Sequence, residues 1–169
     1  MMPLETERLR LTPLSYDDAE FIVELVNEPS FKRYIGDKNV HSIDDARRYL
    51  DDGPIAVSIR YGYGMYRVST KDDGSAAGIC GLLRREGFDD PDLGFAFLSR
   101  FRMRGYAGES ARAVLQQGFG EFGLDRIIAM ANPENEASLH LLEKLGFHYH
   151  GKARMPGDDF DINLYALEK

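Results

Sequence analysis

The stretch Asp92-Leu93-Gly94-Phe95-Ala96-Phe97-Leu98-Ser99-Arg100-Phe101-Arg102-Met103-Arg104-Gly105-Tyr106-Ala107-Gly108-Glu109 decides the reading of this chain. Its first part, residues 92–98, is an apolar strand-like run. Residues 105–123 then place Ala107, Ala111, Val114, Leu115, Phe119 and Phe122 on one stripe of a helix, which Gly123 is expected to close. A strand, a tight turn and a helix start bring several free backbone N–H groups to one point, where the helix dipole adds positive potential. Gly105 lets the backbone approach a ligand, and Ala107 and Gly108 keep side chains out of the way. Arg102 and Arg104 are expected to add charge and forked donors for phosphate oxygens. The pattern Arg102-x-x-Gly105-x-Ala107 therefore reads as a cradle for a phosphorylated ligand.

Upstream, residues 8–13 alternate Leu9 and Leu11 with polar residues and form a first strand. Ser15-x-x-Asp18 and Ser42-x-x-Asp45 are helix starts, the first ahead of Phe21, Ile22, Leu25 and Val26. Residues 31–41 between them read as an irregular segment able to fold over a site. Residues 63–69, 76–85 and 92–98 are three strands, the first two joined by the turn Lys71-Asp72-Asp73-Gly74. Downstream come a strand at 126–131, a helix capped by Asn135 and ended at Gly146-Phe147, and strands at 148–154 and 161–167. The expected fold class is α+β: a mixed, mostly antiparallel sheet of about seven strands with about four helices.

The chain has 169 residues, 43% hydrophobic and 29% charged, consistent with a single folded domain spanning 1–169. The net charge of −7 argues against a nucleic-acid binder working through a general basic surface. No apolar run approaches the roughly 18 residues that span a bilayer, so no membrane partner is expected. The single cysteine, Cys80, sits in an apolar run and reads as a core residue in a reducing, cytoplasmic setting. His41, His140, His148 and His150 lack metal-ligand spacing, and no metal is expected. Acidic clusters at 89–92 and 158–161 would favour a cationic amine if they rim a pocket.

With these residues in view, the chain resembles the GCN5-related N-acetyltransferase (GNAT) superfamily, in the branch that includes ribosomal-protein N-terminal acetyltransferases. Three segments carry the resemblance: Leu4-Glu5-Thr6-Glu7-Arg8-Leu9-Arg10-Leu11, the cradle at Arg102–Ala107, and Asn132-Pro133-Glu134-Asn135-Glu136-Ala137-Ser138 with Leu142-Glu143-Lys144-Leu145-Gly146-Phe147. The resemblance implies acetyl-CoA as co-substrate, lying between two splayed parallel strands, and acetyl transfer to a small amine or a protein N-terminus. It implies that backbone groups around Ala96, Phe97 and Leu98 pair with the pantetheine arm. By the same resemblance, Met103, Arg104, Gly105, Tyr106, Ala107 and Gly108 hold the pyrophosphate, and Asn135 and Ser138 face the thioester end. Phe31 and Tyr34 are candidate substrate-pocket residues, and segments 31–41 and 157–161 are expected to line that pocket. The protein would act as a monomer or homodimer.

The chemistry requires a neutral amine, a stabilised oxyanion and a proton for the departing thiolate. Neutralising a lysine side chain at pH 7 costs over ~4 kcal/mol, whereas an α-amino group costs only ~1.4 kcal/mol. A carboxylate acting through water can serve the latter, and Asp92 is the best-placed candidate. A backbone N–H near Phe97 would stabilise the oxyanion. Glu109, in the first turn of its helix, is expected to complement the dipole or buttress the cradle. Many family members use a tyrosine seven residues after the asparagine, but that position is Leu142 here, so Ser138 is the candidate proton donor. The missing tyrosine also leaves open a catalytically idle acyl-CoA-binding module.

Overall fold

A computed structural model describes residues 1–169. Its strands are β1 (Leu4–Glu5), β2 (Leu9–Pro13), β3 (Met65–Thr70), β4 (Ala76–Leu83), β5 (Asp92–Phe97), β6 (Arg126–Ala131), β7 (His148–Ala153) and β8 (Ile162–Glu168). They form one sheet in the order β1-β2-β3-β4-β5-β6-β8-β7. Every neighbouring pair is antiparallel except β5 and β6, which run parallel. The eighth strand, beyond the seven read from sequence, is the two-residue β1.

The helices are α1 (Ala19–Val26), α2 (Pro29–Tyr34), α3 (Ile43–Leu50), α4 (Ala56–Tyr61), α5 (Tyr106–Gly120) and α6 (Glu136–Lys144). Reciprocal capping boxes begin the turn before α1, at Ser15 and Asp18, and α3, at Ser42 and Asp45. Two helices were not legible. α2 falls partly within the segment read as irregular; it has six residues, too few for a periodic stripe, and Pro29 supplies its first-turn geometry. α4 continues α3 through a π-helical turn at Asp51–Ile55 that absorbs Pro54. α5 also stops at Gly120, before the left-handed Gly123 (φ +63°) expected to close it.

Two cores sandwich the sheet. Ala111, Val114 and Leu115 of α5 bury one face with Leu9, Leu11, Tyr66, Val68 and Leu82. On the other face, Ile22, Leu25 and Val26 of α1 join Ala46, Leu50, Met65, Ile79 and Leu98. Burying such side chains is worth about 1.5–3 kcal/mol each. This fixes β5 as a rigid central strand from both sides.

Between β5 and β6 the sheet opens. Asp92 and Ile128 are their only register pair, tied by Ile128 N–H donating to Pro91 O at 2.9 Å. Beyond it the strands diverge, while β5 stays paired with β4 along its whole length. One edge of the central strand is thereby left without a partner in the middle of the sheet.

Candidate active site

Backbone alternation shows which groups of β5 face the opening. Leu98 N–H donates to Ala77 O at 2.9 Å, and Pro91 O accepts from β6, so even-numbered residues turn their polar groups to β4. The odd-numbered Phe95 and Phe97 therefore present theirs to the gap, whereas Leu93 adjoins the Asp92–Ile128 register pair. Leu98, expected to pair with a pantetheine arm, is corrected on this point: its N–H is engaged by Ala77, its side chain is fully buried, and it does not line the cleft. Ala96 lines the cleft, but its backbone faces β4. The period-2 rule could have picked out Phe95 in place of Leu98.

The gap leads into a cavity of about 640 Å³ lined by Phe95, Ala96, Phe97, Arg102, Met103, Gly105, Tyr106, Ala107, Gly108, Asn135 and Ser138, among others. At its mouth the chain turns sharply, with Met103 at φ +59° and Gly105 at φ +80°. The first hydrogen bond of α5 is Glu109 N–H to Gly105 O, at 3.0 Å. The N–H groups of residues 103–108 thus have no acceptor within the chain, six successive unpaired donors at a helix start.

Arg102 serves this turn differently from expectation. Arg102 donates through Nε and Nη2 to Phe97 O, at 3.0 and 2.9 Å, and reaches Ser30 and Glu28 beside α2. It closes the carbonyl at the end of β5 while leaving the Phe97 N–H free. Arg104 lies over the Phe101 ring, 5.6 Å from its centroid, and its guanidinium makes no hydrogen bond within the chain. The Arg102 guanidinium is not the open fork read from sequence, because it finds its acceptors on the protein itself.

Glu109 buttresses the turn, as expected. Its Oε1 accepts from Thr6 Oγ1 at 2.6 Å and from Arg8 N–H at 2.8 Å, and its Oε2 from Arg8 Nε at 2.7 Å. Arg8 also donates to Arg104 O at 2.8 Å and lies 4.8 Å over the Tyr106 ring. Partial burial raises the Glu109 pKa, but these bonds outweigh it and hold the carboxyl below its ordinary value. The segment before β2 is thus clamped onto the turn, a role for Thr6 and Arg8 that local patterning could not reveal.

A second cavity, of about 340 Å³, adjoins the first. Phe31, Tyr34, Ile35, Phe95, Ala96, Asn135 and Ser138 line both. The smaller cavity also receives Lys38, Tyr49, Arg84, Arg85, Asp92 and Leu142. Asn135 caps α6, its Oδ1 accepting from Ser138 N–H at 3.3 Å. The Ser138 hydroxyl makes no hydrogen bond within the chain and stands at the junction of the cavities. Segment 157–161, expected along this pocket, lines neither cavity.

Asp92 is only 1% exposed. Its Oδ2 accepts from Arg85 Nε at 2.7 Å, whereas Oδ1 has no hydrogen-bond partner. Burial pushes its carboxyl above the usual range, against the pull of Arg85 and of the nearby Met130 backbone N–H, which falls short of a hydrogen bond to Oδ1. The acidic clusters do not form a cation-seeking rim. Asp92 pairs with Arg85, Asp90 with Arg126 and Asp161 with Arg154. Cys80 is buried, and burial pushes its thiol up to about 12, which leaves it inert. No cluster of three or more His, Cys, Asp or Glu could hold a metal ion, and no helix is long and apolar enough to cross a membrane.

A parallel strand pair opened beside a helix start rich in free N–H groups can receive a ligand with an anionic end and a hydrogen-bonding arm. The family model of the acetyltransferase (GNAT) domain matches residues 8–148, and the chain belongs to that family. The uncharacterized N-acetyltransferase YoaA of Bacillus subtilis (strain 168) is 30% identical over 172 residues, covering 98% of this chain and 96% of that protein. The crystal structure of a GNAT-family acetyltransferase from Bacillus anthracis superposes with a TM-score of 0.80 at 27% identity, covering 99% of this chain and 98% of that one. RimL, a ribosomal L7/L12 alpha-N-protein acetyltransferase, shares the fold at a TM-score of 0.84 and 18% identity, covering 99% of this chain and 94% of its own. The chain is accordingly an N-acetyltransferase, and membership implies use of acetyl-CoA. The gap, the cavity and the six free donors fit such a ligand.

Proposed function

We propose that the protein transfers the acetyl group of acetyl-CoA directly to a primary amine while both substrates are bound. The observation that carries this reading is the run of unpaired N–H groups at 103–108 beside the open edge of β5. These donors would take the pyrophosphate, and the edge at Phe95 and Phe97 would take the amide-bearing arm. Two cavities that meet at Phe95, Ala96, Asn135 and Ser138 let donor and acceptor be present together. With Cys80 buried and inert, no thiol is placed to carry the acetyl group covalently.

Acetyl-CoA supplies an activated thioester, from which the amine gains an amide bond as the C–S bond breaks. Asp92 would accept the proton of the incoming ammonium, directly or through water, using the unpartnered Oδ1. The Phe95 N–H, where the two cavities meet, would face the carbonyl oxygen as charge develops on it, since Phe97 lies at the far end of β5 from Asp92. The Ser138 hydroxyl would donate toward the sulfur, in the absence of a tyrosine at Leu142. Phe31 and Tyr34 would wall the acceptor channel, which we assign to a cytoplasmic enzyme.

The idle acyl-CoA-binding alternative draws on Leu142, but the free Ser138 hydroxyl and buried Asp92 favour turnover. Thiol release from acetyl-CoA in the presence of an amine panel, alongside calorimetric titration of acetyl-CoA, tests the proposal. Binding with amine-dependent release is expected. Binding without release by any amine would establish the idle module, and no binding by folded protein would overturn both.

A further inference from the structure

The inner cavity inverts the sign of the molecule around it. The chain carries a net charge of −7, yet the charged groups lining this cavity are Lys38, Arg84 and Arg85 against Asp52 and Asp92. Asp92 is already engaged by Arg85 at 2.7 Å. Arg84 lies 5.5 Å from the Tyr61 ring centroid and donates to the Asp89 backbone carbonyl, so it has no carboxylate partner. Lys38 forms neither an ion pair nor a hydrogen bond. Burial, then repulsion from Arg85, holds its ammonium below the usual lysine range, with Asp158 pulling the other way. Asp52 is exposed, at the outer rim. The cavity therefore holds two cations without carboxylate partners beside a buried carboxylate oxygen, Asp92 Oδ1, that also lacks a partner.

Unpaired charge withdrawn from water is costly and is relieved by a complementary ligand. A ligand that relieves all three groups is anionic at one end and an amine at the other. From this we infer that the acceptor is a small amine bearing a carboxylate or a phosphate. Its anionic group lies against Lys38 and Arg84, and its nitrogen faces Asp92 in the inner cavity, toward the junction with the first. This inference rests on the proposed transfer reaction and names its acceptor class. A polyamine is disfavoured because its further cationic groups would meet Lys38 and the arginines. The volume of about 340 Å³ suits a small molecule better than a peptide chain.

The test compares kcat/KM for matched acceptors: an amino acid against its carboxamide, an aminoalkyl phosphate against its alcohol, and a peptide with a free N-terminus and blocked C-terminus. The carboxamide has the less basic amine, so without recognition of the anion it should react faster. The inference predicts that at least one anionic acceptor outruns its neutral partner; whether that is the carboxylate or the phosphate identifies the anion. In Lys38→Met the anionic-to-neutral ratio should fall about tenfold, the scale of one charge-assisted hydrogen bond, and Lys38→Arg should restore most of it. Neutral acceptors equal to or better than their anionic partners, a faster peptide, or a ratio unmoved in Lys38→Met would each overturn it. Calorimetry of acetyl-CoA on the same samples separates the two levels. Binding without transfer to any small anionic amine defeats only the acceptor assignment, whereas loss of binding defeats the transfer reading beneath it.

Discussion

The two ends of the cleft are built by opposite means. The turn at 103–108 is made of backbone: a short contiguous stretch whose N–H groups are the functional atoms. The inner cavity is made of side chains brought from the segment after α2, the end of α3, the end of β4, the start of β5 and α6. A backbone site must solve a conformational problem locally, so it leaves a local signature of glycine and small residues. A side-chain site is assembled by topology and leaves none. The turn should accordingly be intolerant of shape changes at single positions, and the cavity responsive to charge changes at several distant ones.

The strongest break of the turn is Gly105→Glu. Gly105 stands at φ +80°, and an added Cβ would approach Arg8 Nη2 to 3.2 Å. The substitution combines left-handed strain with a negative charge where an anion is expected, and acetyl-CoA affinity should fall by about 100-fold or more. Calorimetry measures it, with circular dichroism confirming the fold. Unchanged affinity would place the pyrophosphate elsewhere.

Next in size, on the cavity side, is Asp92→Asn. Removing the base should lower kcat/KM by about 10²-fold or more, in the range of general-base catalysis. The pH profile carries a sharper signature. Since burial raises the Asp92 pKa and the ionised form is the base, wild-type activity should fall with decreasing pH already above the ordinary carboxylate range. That acidic limb should vanish in the variant. A limb that persists assigns the base to another group.

How far each end was readable follows from the same contrast. The cradle, the Asn135 cap and both capping boxes lie within a few residues of sequence and were legible. Residues 92–98 were correctly read as a strand, but which of them faces the opening depended on pairing with β4, and Leu98 was misplaced for that reason. Arg102 looks like an open phosphate ligand because sequence shows its charge but not the Phe97 carbonyl that occupies it. Lys38, Arg84 and Arg85 passed unremarked, and the acidic clusters suggested the opposite pocket sign, because ion pairing across the fold leaves no periodic trace. α2 and α4 were too short to register.

Two smaller effects refine the contrast. Ser138→Ala should reduce kcat by about tenfold, below the roughly 10²–10⁴-fold of a full acid–base contribution because water can also deliver the proton, with acetyl-CoA affinity held within about twofold. An unaffected kcat would reduce Ser138 to wall. Glu109→Gln should weaken acetyl-CoA by only a fewfold, because it loosens the clamp from Thr6 and Arg8 without removing a donor. The Glu109 carboxyl is held below its ordinary value, so its share of stability is present at neutral pH and is lost as pH falls through that depressed value. The melting temperatures of wild type and Glu109→Gln should converge as pH falls below the ordinary carboxylate range, and a gap that widens there would contradict the clamp.

The most direct test of the backbone-built cradle is a ¹H–¹⁵N NMR titration of the 19.1 kDa protein with coenzyme A. The N–H groups of residues 103–108 should show the largest displacements, shifting downfield as they gain an acceptor, with Phe95 and Phe97 following along the open edge of β5. Saturable binding that leaves 103–108 unmoved would contradict the account at its centre.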